Sequence, residues 1–319
     1  MAFLKRINQR AKTSSNTGFG DNASNYGGRF LNKDGKANIR KTGVGLLERY
    51  SWFHTMLEVP GWKFFLIILL YYVIVNFLFA VIYYFLGVQH LVGTIAESEV
   101  DKFWEAFFFS SQTFTTVGYG RISPVGFTTS AIAAFQALIG LLTLAVATGL
   151  LYARFSKPTA YLKFSGNALI APYKEIKGLM IRLAPFKNTT LTDAEARLTL
   201  GMTIEENGRK LNRFFPLELE LEKVNALTLS WTIVHPITED SPLYGFTAED
   251  YRNTAGEIIV FIKAFDDMFS NTVVSRTSYT FNEVIYAAAF NPMFHRDEEN
   301  NATVLELGRL NDFRQVSFD

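Results

Sequence analysis

Residues 103–120 read FWEAFFFSSQTFTTVGYG and separate two long stretches, 64–96 and 122–153, that carry no Asp, Glu, Lys or Arg. Residues 103–114 are apolar and aromatic enough for a short helix, but they are too few to cross a bilayer. Such a helix can enter a membrane and turn back only where protein or a water-filled cavity shields its end. The glycines of TTVGYG, residues 115–120, then favour non-helical backbone. The sequence therefore predicts a re-entrant segment held between two other elements.

The two uncharged stretches are long enough to be transmembrane helices. The first 25 residues of one, FFLIILLYYVIVNFLFAVIYYFLGV at 64–88, exceed the roughly 20 that a helix needs to cross a bilayer. The core of the other, SAIAAFQALIGLLTLAVATGLLYA at 130–153, is richer in Gly, Ala and Thr, which let helices pack closely in lipid. Buried helices of a soluble protein are the alternative, but such helices seldom stay uncharged over this length.

Positive charge is distributed unevenly about these spans. Eleven Lys and Arg residues precede residue 64, and Arg154, Lys157 and Lys163 follow the second span. Between the first span and the re-entrant segment there is only Lys102, together with three acidic residues. Because Lys and Arg are concentrated on the cytoplasmic side of membrane proteins, we predict a multi-pass protein of the cell membrane with both termini in the cytoplasm.

The chain outside the spans divides into three parts. Residues 8–44 are rich in Gly, Asn, Ser, Thr and Lys, so we expect residues 1–44 to form a flexible cytoplasmic N-terminus. One helical face of LLERYSWFHTML, residues 46–57, is apolar, which predicts a helix in the membrane interface. A cytoplasmic helix packed on protein is the alternative. Residues 45–158 would then hold this helix and the membrane part, and residues 159–319 a separate domain.

After residue 160 the pattern becomes that of a β protein. Four segments alternate or cluster β-forming residues between turns: LTLGMTIE (198–205), FFPLELELE (214–222), ALTLSWTIV (226–234) and GEIIVFIKAF (256–265). The sequence ENG at 206–208 predicts a hairpin turn. We also expect a short helix at FNEVIYAA, residues 281–288.

Composition excludes several classes of function. The chain contains no cysteine, so disulfides, thiolate metal sites and cysteine nucleophiles are excluded. None of the four histidines has metal-ligand spacing to another. The chain has no convergent catalytic set, no glycine-rich nucleotide-binding turn, no basic patch for nucleic acid and no arginine-repeat span. We therefore expect neither an enzyme, a resident cofactor nor a nucleic-acid partner.

Residues 46–290 resemble the inward-rectifier (Kir) potassium channels, especially their prokaryotic branch. The resemblance rests on the interfacial helix, on TTVGYG, on LYARFSKP at 151–158 and on SWTIVHPITEDSPLYG at 230–245. It implies a membrane α-helical pore with two spans and a re-entrant pore helix. A cytoplasmic immunoglobulin-like β-sandwich that gates the pore would follow. The cysteine pair that flanks the pore in animal members is missing, which favours the prokaryotic branch.

The TTVGYG loop is the selectivity filter in this resemblance. TVGYG is the known filter signature of potassium channels, so selectivity is inferred from the match to that signature. A dehydrated potassium ion needs rings of oxygen ligands, which backbone carbonyls and the Thr116 hydroxyl can supply. The filter residues are Thr115, Thr116, Val117, Gly118, Tyr119 and Gly120, of which Thr116, Val117, Gly118 and Tyr119 would bind the permeant ion. One chain supplies one strand of four, which implies a homotetramer.

On the second span, Leu144, Thr148 and Tyr152 are spaced i, i+4 and i+8 and share one helical face. The resemblance implies that they line the pore. Leu144 occupies the site where strongly rectifying members carry an acid, and Tyr152 occupies the gate. Ordinary helix packing is the alternative. Gly140 and Gly149 match positions treated as hinges, although a glycine in a membrane helix is as often a packing residue.

Three charged residues have roles that only the resemblance implies. Arg154 and Lys157 match basic positions that contact anionic lipid headgroups, and the alternative is that they only set the topology. Asp193 matches an acidic ring in the cytoplasmic pore, and the alternative is a solvated loop carboxylate. The partners implied are potassium ions, anionic membrane lipids and further copies of the chain.

The re-entrant segment departs from the family pattern at its two ends. Gln112 stands where many members carry an acid behind the filter, and Arg121 directly follows GYG, where many potassium channels have Asp. A ring of positive charge at the outer mouth would repel cations. A membrane-anchored binding module with a non-conducting pore is the remaining alternative to a channel.

Overall fold

The computed structural model describes residues 8, 10–13, 29–43, 45, 51–206 and 209–318. The chain forms two compact units. The helical unit contains residues 42–157, and the β unit combines the residues up to 41 with those from 158 onward. The β unit is therefore built from two parts of the chain that flank the helical unit in sequence.

Helices dominate the first of these units. Its helices are α1 (Trp52–Glu58), α2 (Gly61–Leu86), α3 (Glu99–Phe114) and α4 (Phe127–Phe155). Strands β1 (Leu91–Val92) and β2 (Ser123–Pro124) pair antiparallel. Helices α2 and α4 are long and apolar enough to cross a membrane, whereas α3, with 16 residues, extends only about 24 Å. Two membrane-length helices thus enclose a shorter one, as the sequence predicts.

Local signals set the helix ends. Pro60 precedes α2, and Gly87 ends it with a φ of 100°, which glycine adopts without strain. Helix α3 begins at Glu99, so the sequence-based start at residue 103 is wrong. The earlier start has a local cause, because the Ser98 side chain accepts a hydrogen bond from the Asp101 amide and caps the helix.

The interfacial helix predicted at 46–57 lies partly outside the described residues, which omit 46–50. From Trp52 onward the chain is helical, and Ser51 caps this helix by accepting from the His54 amide. No residue of α1, which is described throughout, is buried, and Trp52 is 79 % exposed. Phe53 is also exposed, whereas Met56 and Leu57 are half-buried. The apolar surface of α1 is therefore only partly covered within the helical unit, which leaves the interfacial prediction and its alternative open.

The β unit is built from strands of very different length. They are β3 (Leu162–Phe164), β4 (Ala168–Tyr173), β5 (Ile176–Pro185), β6 (Leu191–Glu206), β7 (Arg209–Leu217), β8 (Lys223–Leu227), β9 (Trp231–Pro236), β10 (Gly256–Asp266), β11 (Asn271–Thr280), β12 (Val284–Tyr286), β13 (Ala288–Phe290), β14 (Phe294–Asp297), β15 (Ala302–Leu305) and β16 (Phe313–Gln315). One short helix, α5 (Ala248–Asn253), precedes β10.

These strands form two five-stranded sheets and two ribbons. One sheet has the order β11-β10-β6-β7, with β8 also paired to β6. The other has the order β12-β4-β5-β3, with β9 also paired to β5, and only its β12–β4 pair is parallel. The ribbons pair β13 with β16 and β14 with β15.

One hydrophobic core is shared by both five-stranded sheets. Ile181 and Ile233 enter it from one sheet, and Leu200, Ile258 and Val260 enter it from the other. All five are fully buried, and each such burial contributes about 1.5–3 kcal/mol. The alternation of buried and outward residues along β10 is that of a strand with one face on a core. This arrangement confirms the predicted β-sandwich.

Two local predictions in the β unit have different outcomes. Strands β6 and β7 pair with Glu206 opposite Arg209, which leaves two residues for the turn and confirms the predicted hairpin. The turn residues, 207 and 208, lie outside the described residues. The helix predicted at 281–288 is wrong. After a short 3-10 turn at Phe281–Glu283 the chain enters β12, whose backbone groups are paired by β4 instead.

Residues 29–38, here called the N-terminal segment, pack on the β unit. The carboxylate of Glu257, itself 2 % exposed, accepts hydrogen bonds from the amides of Phe30 and Leu31. Both apolar side chains are buried. A buried carboxylate is costly without partners, and the segment supplies them. The N-terminal segment is therefore held in place, in contrast to the flexible N-terminus expected from composition.

Two cations of the N-terminal segment converge on Glu283. Arg29 Nη2 lies 2.9 Å from Glu283 Oε2, and Lys33 Nζ lies 3.3 Å from the same oxygen. Lys33 Nζ also lies 3.6 Å from the centre of the Tyr279 ring. Burial lowers the pKa of Lys33, although Glu283 opposes the shift. These contacts attach the N-terminal segment to the β unit through polar groups, in addition to the hydrogen bonds to the buried Glu257 carboxylate.

Candidate functional site: the filter loop and its supports

The TTVGYG loop begins where α3 ends. Thr115 still has helical dihedrals, and its hydroxyl donates to the Ser111 carbonyl at 2.8 Å. The Val117 amide donates to the Gln112 carbonyl at 3.0 Å, which ties the first turn of the loop to the last turn of α3. The loop therefore starts from a fixed point at the end of the re-entrant helix.

Alternate residues of the loop have left-handed backbone. The φ angle is 59° at Thr116, 53° at Gly118 and 83° at Gly120. The two glycines adopt the unusual backbone that the sequence predicts. The positive φ of Thr116 was not predicted, because a β-branched residue seldom adopts positive φ. Carbonyls of a regular strand alternate in direction, so a change of handedness at every second residue brings successive carbonyls to one side.

A buried polar cluster, formed by Asn76, Tyr83, Ser110 and Gln136, joins α3 to both long helices. Gln136 on α4 donates to the Ser110 hydroxyl (Nε2–Oγ 2.6 Å) and accepts from the Tyr83 hydroxyl on α2 at 2.8 Å. Ser110 in turn donates to Asn76 on α2 at 2.9 Å. All four residues are at most 1 % exposed. Because unpaired polar groups are costly inside a membrane, these bonds fix the re-entrant helix between the long helices.

Sequence reasoning missed this buried polar cluster. The available signal was the presence of Asn76 and Gln136 within otherwise apolar stretches. Polar residues in membrane segments usually face a protein partner rather than lipid. The sequence does not say which polar residue on another helix each one meets.

The two glycines considered as hinges have different surroundings. Gly140 is buried against the end of α3, where an added Cβ atom would lie 2.7 Å from the carbonyl carbon of Phe114. At Gly149 an added Cβ atom would meet no described atom within 4 Å. Gly140 is therefore a packing residue beside the filter loop, and Gly149 stays open to either role.

Arg121, directly after the loop, has a partner that the sequence did not predict. Its Nη1 atom lies 3.0 Å from Glu105 Oε1 on α3. The other carboxylate oxygen of Glu105 accepts a hydrogen bond from the Ile95 amide at 3.0 Å. The Glu105 side chain is only 12 % exposed. The positive charge expected after the loop is thus compensated within the chain, and the ion pair joins both ends of the re-entrant segment.

The predicted pore-lining residues lie on one uncovered face of α4. Leu144 is 62 % exposed and Tyr152 is 74 % exposed within the chain, and Thr148 is exposed between them. This face is available to an aqueous cavity or to neighbouring subunits. The pore-lining role stays a prediction.

The two predicted lipid contacts are placed differently. Arg154 donates to two main-chain carbonyls, those of Met56 at 2.5 Å and Val59 at 2.8 Å. Lys157 lies beyond the end of α4 and is exposed. Lipid contact stays a prediction for both residues, but the Arg154 guanidinium already has partners inside the helical unit.

Asp193 lies inside strand β6 rather than in a loop. It has a φ of 49° and sits where the β6–β10 register shifts. Its carboxylate forms an ion pair with Lys223 at 2.9 Å, and its side chain is 65 % exposed. The alternative placed this carboxylate in a loop, and that placement is wrong, although the side chain is solvated. The pore-ring role stays a prediction.

Known proteins share both units of this chain. Residues 162–318 match the family described as the inward rectifier potassium channel C-terminal domain, and residues 61–157 match the ion channel family. The chain is 34 % identical over 292 residues to the inward rectifier potassium channel Kirbac3.1 of Paramagnetospirillum magnetotacticum, across 90 % of this chain and 96 % of that protein. This chain belongs to the inward rectifier potassium channel family.

More distant inward rectifiers match over a similar part of the chain. Inward rectifier potassium channel irk-1 of Caenorhabditis elegans is 25 % identical, across 86 % of this chain and 54 % of that protein. Inward rectifier potassium channel 18 of Homo sapiens is 26 % identical, across 85 % of this chain and 67 % of that protein. The family consists of ion channels and not of enzymes. The chain is therefore a membrane channel protein, and its architecture is a two-span pore followed by a β-sandwich.

Proposed function

We propose that the chain is one subunit of a homotetrameric, potassium-selective channel of the cell membrane. The observation that carries this proposal is the TTVGYG loop, which follows a short helix between two membrane-length helices and has positive φ at Gly118 and Gly120. Four such loops around one axis would give rings of carbonyl oxygens that replace the hydration shell of potassium. Potassium then moves passively, down its electrochemical gradient.

The permeant ion would be held by the loop alone. Its ligands would be the carbonyls of residues 116–119 together with the Thr116 hydroxyl. Both termini would face the cytoplasm, since Lys and Arg are concentrated outside the segment that connects α2 to α3. The β unit would then be cytoplasmic and would act on the pore from that side.

Rubidium uptake into vesicles reconstituted with the full chain tests this function. We expect rubidium and potassium to enter, sodium to be largely excluded and barium to block. Gly118→Ala should abolish uptake, because a Cβ atom opposes the φ of 53° at this position. Equal uptake of sodium and potassium would refute selectivity. Light scattering should give the mass of four 36.1-kDa chains, and a monomer in a detergent that preserves uptake would refute the tetramer.

The cavity below the filter would lack fixed negative charge, because Leu144 stands where an acid would hold polyvalent cations. We therefore expect weak block by internal polyamines and stronger block in Leu144→Asp, measured as voltage-dependent current. Strong, steep block of the wild type would contradict this role and would direct attention to Asp193.

Gating would involve the cytoplasmic end of α4. Four Tyr152 side chains would converge there into an aromatic constriction that excludes water and ions. Four copies of Arg154 and Lys157 would offer eight charges to anionic headgroups, each worth roughly 1 kcal/mol near the membrane surface. Tyr152→Ala should raise basal rubidium uptake, and Lys157→Gln should weaken its dependence on anionic lipid. An unchanged basal uptake in Tyr152→Ala would place the gate elsewhere.

A further inference from the structure

One face of the sheet that contains β6 and β10 points away from the hydrophobic core and carries charged side chains. Buried and outward residues alternate along β6, which places Asp193, Glu195 and Arg197 on this outward face. Lys223 on β8 and Lys263 on β10 lie directly opposite Glu195 in the two neighbouring strands, so they share its face. These five residues are here called the charged patch.

Both acids of the charged patch are paired with cations of the same chain. The Oδ1 atom of Asp193 lies 2.9 Å from Lys223 Nζ. The Arg197 guanidinium donates twice to Glu195 Oε1, from Nε at 2.9 Å and from Nη2 at 2.7 Å. Each carboxylate therefore already has a cation beside it.

The irregular backbone at Asp193 accounts for its choice of partner. Asp193 has a φ of 49° and lies where the β6–β10 register shifts. A β-bulge of this kind changes the direction in which a side chain points. Although Lys223 stands opposite Glu195 in the ladder, its ammonium group meets the Asp193 carboxylate instead.

Charges of both signs nearly balance on this part of the surface. The charged patch itself combines two carboxylates with three cations. Further charged residues adjoin it: Glu218, Glu222 and Arg276 line the groove beside it, and Asp267 contacts β6 at its edge. A mobile ion responds to the fixed charges within about 10 Å at 0.1 M salt. Where these charges almost cancel, a single lysine decides whether a polyvalent cation is attracted.

We propose that Lys223 is the specificity-determining residue that prevents polyvalent cations from binding at Asp193. This inference rests on the proposed channel function, in which four copies of Asp193 would face the cytoplasmic part of the pore. Four copies of Lys223 supply as much positive charge as those carboxylates supply negative charge. Internal polyamines would then meet no uncompensated acid, either in the membrane cavity at Leu144 or in the cytoplasmic pore.

The experiment measures spermine, a linear polyamine, in two ways. Titration calorimetry gives its affinity for the solubilised full-chain tetramer, and planar-bilayer recording gives its block of outward current from the internal side. The variants are Lys223→Gln, Asp193→Asn and the double variant. Lys174→Gln is the matched control, because Lys174 also forms an exposed ion pair, with Glu220, but lies between β4 and β5.

Removal of the lysine should uncover the acid. Lys223→Gln should bind spermine at least about fivefold more tightly than the wild type, because each subunit gains one attraction between unit charges in water. Block of outward current should shift to correspondingly lower spermine concentrations. Asp193→Asn should not strengthen binding by itself, and it should remove the gain in the Lys223→Gln background. Lys174→Gln should bind spermine as the wild type does.

Two results would overturn the assignment. One is spermine binding in Lys223→Gln that is no tighter than in the wild type. The other is a wild type that already binds spermine tightly and loses this binding in Asp193→Asn, which would show that Lys223 does not compensate the carboxylate. Tighter binding in Lys223→Gln without any block of current would uphold the role of Lys223 and would refute the place of Asp193 in the conduction path.

Discussion

Gly140→Ala is expected to displace the end of α3 and to damage the filter loop. The added Cβ atom would lie 2.7 Å from the carbonyl carbon of Phe114 and would overlap its oxygen. Both are main-chain atoms, so no side-chain rotation can relieve the overlap, and α3 and α4 must separate. Phe114 immediately precedes TTVGYG, so the separation reaches the loop directly.

Two opposing effects set the size of the change. Alanine is a better helix former than glycine by about 1 kcal/mol. Overpacking of a close contact costs about 1–3 kcal/mol, and the upper end applies because main chain must move. The net loss of stability is then about 2 kcal/mol per subunit. Gly149→Ala is the matched control on the same helix, because its Cβ atom would meet no described atom within 4 Å.

The assay is thermal dissociation of the purified tetramer, combined with sodium and rubidium uptake per tetramer. Gly140→Ala should dissociate at a lower temperature than the wild type and should take up less rubidium or admit sodium. Gly149→Ala should dissociate at or above the wild-type temperature. If Gly140→Ala keeps wild-type stability and selectivity and changes only the fraction of open channels, Gly140 is a hinge and the packing argument is refuted.

Four further substitutions test three contacts, each of which lies within one unit of the chain. Tyr83→Phe and Gln136→Leu should each destabilise the tetramer, and a double-mutant cycle in thermal dissociation should give a coupling of about 0.6–1.7 kcal/mol; additive effects would contradict their hydrogen bond. Arg121→Gln leaves the mostly buried Glu105 carboxylate without its cation, and should cost about 1–3 kcal/mol, between the exposed and buried limits for ion pairs. The double variant Glu105→Arg with Arg121→Glu, which exchanges the two charges, should recover part of that loss in the same assay of thermal dissociation. Glu257→Gln should speed hydrogen exchange and proteolysis of the N-terminal segment, since an amide nitrogen would then face a backbone amide; unchanged protection would show that apolar packing alone holds the segment.

Local patterns determined much of the membrane part of this protein. Uninterrupted hydropathy located α2 and α4, and the short apolar stretch before TTVGYG located α3 between them. Gly118 and Gly120 were predicted to adopt unusual dihedrals, and both have positive φ, because few other residues tolerate that conformation. The strands and the 206–209 hairpin followed from period-two alternation and turn residues, which act within a few positions of the chain.

One local and one tertiary interaction explain the two errors in the predicted helices. The Ser98 cap outweighs the apolar pattern at the start of α3, and pairing with β4 outweighs the helix-like pattern at 281–288. In the second case the competing interaction is tertiary, since β4 lies more than a hundred positions earlier in the chain. Propensity is a weak prior when a sheet edge can satisfy the backbone instead.

Only the tertiary structure decided which polar groups meet. The Arg154–Met56 contact spans 98 positions and the Glu257–Phe30 contact spans 227, and neither leaves a periodic trace in the sequence. Composition predicts that a buried Gln136 or Glu257 must find a partner, because an unpaired polar group is costly away from water. Which partner it finds depends on how helices and strands pack, and that packing brings together residues whose separation along the chain carries no information about their contact.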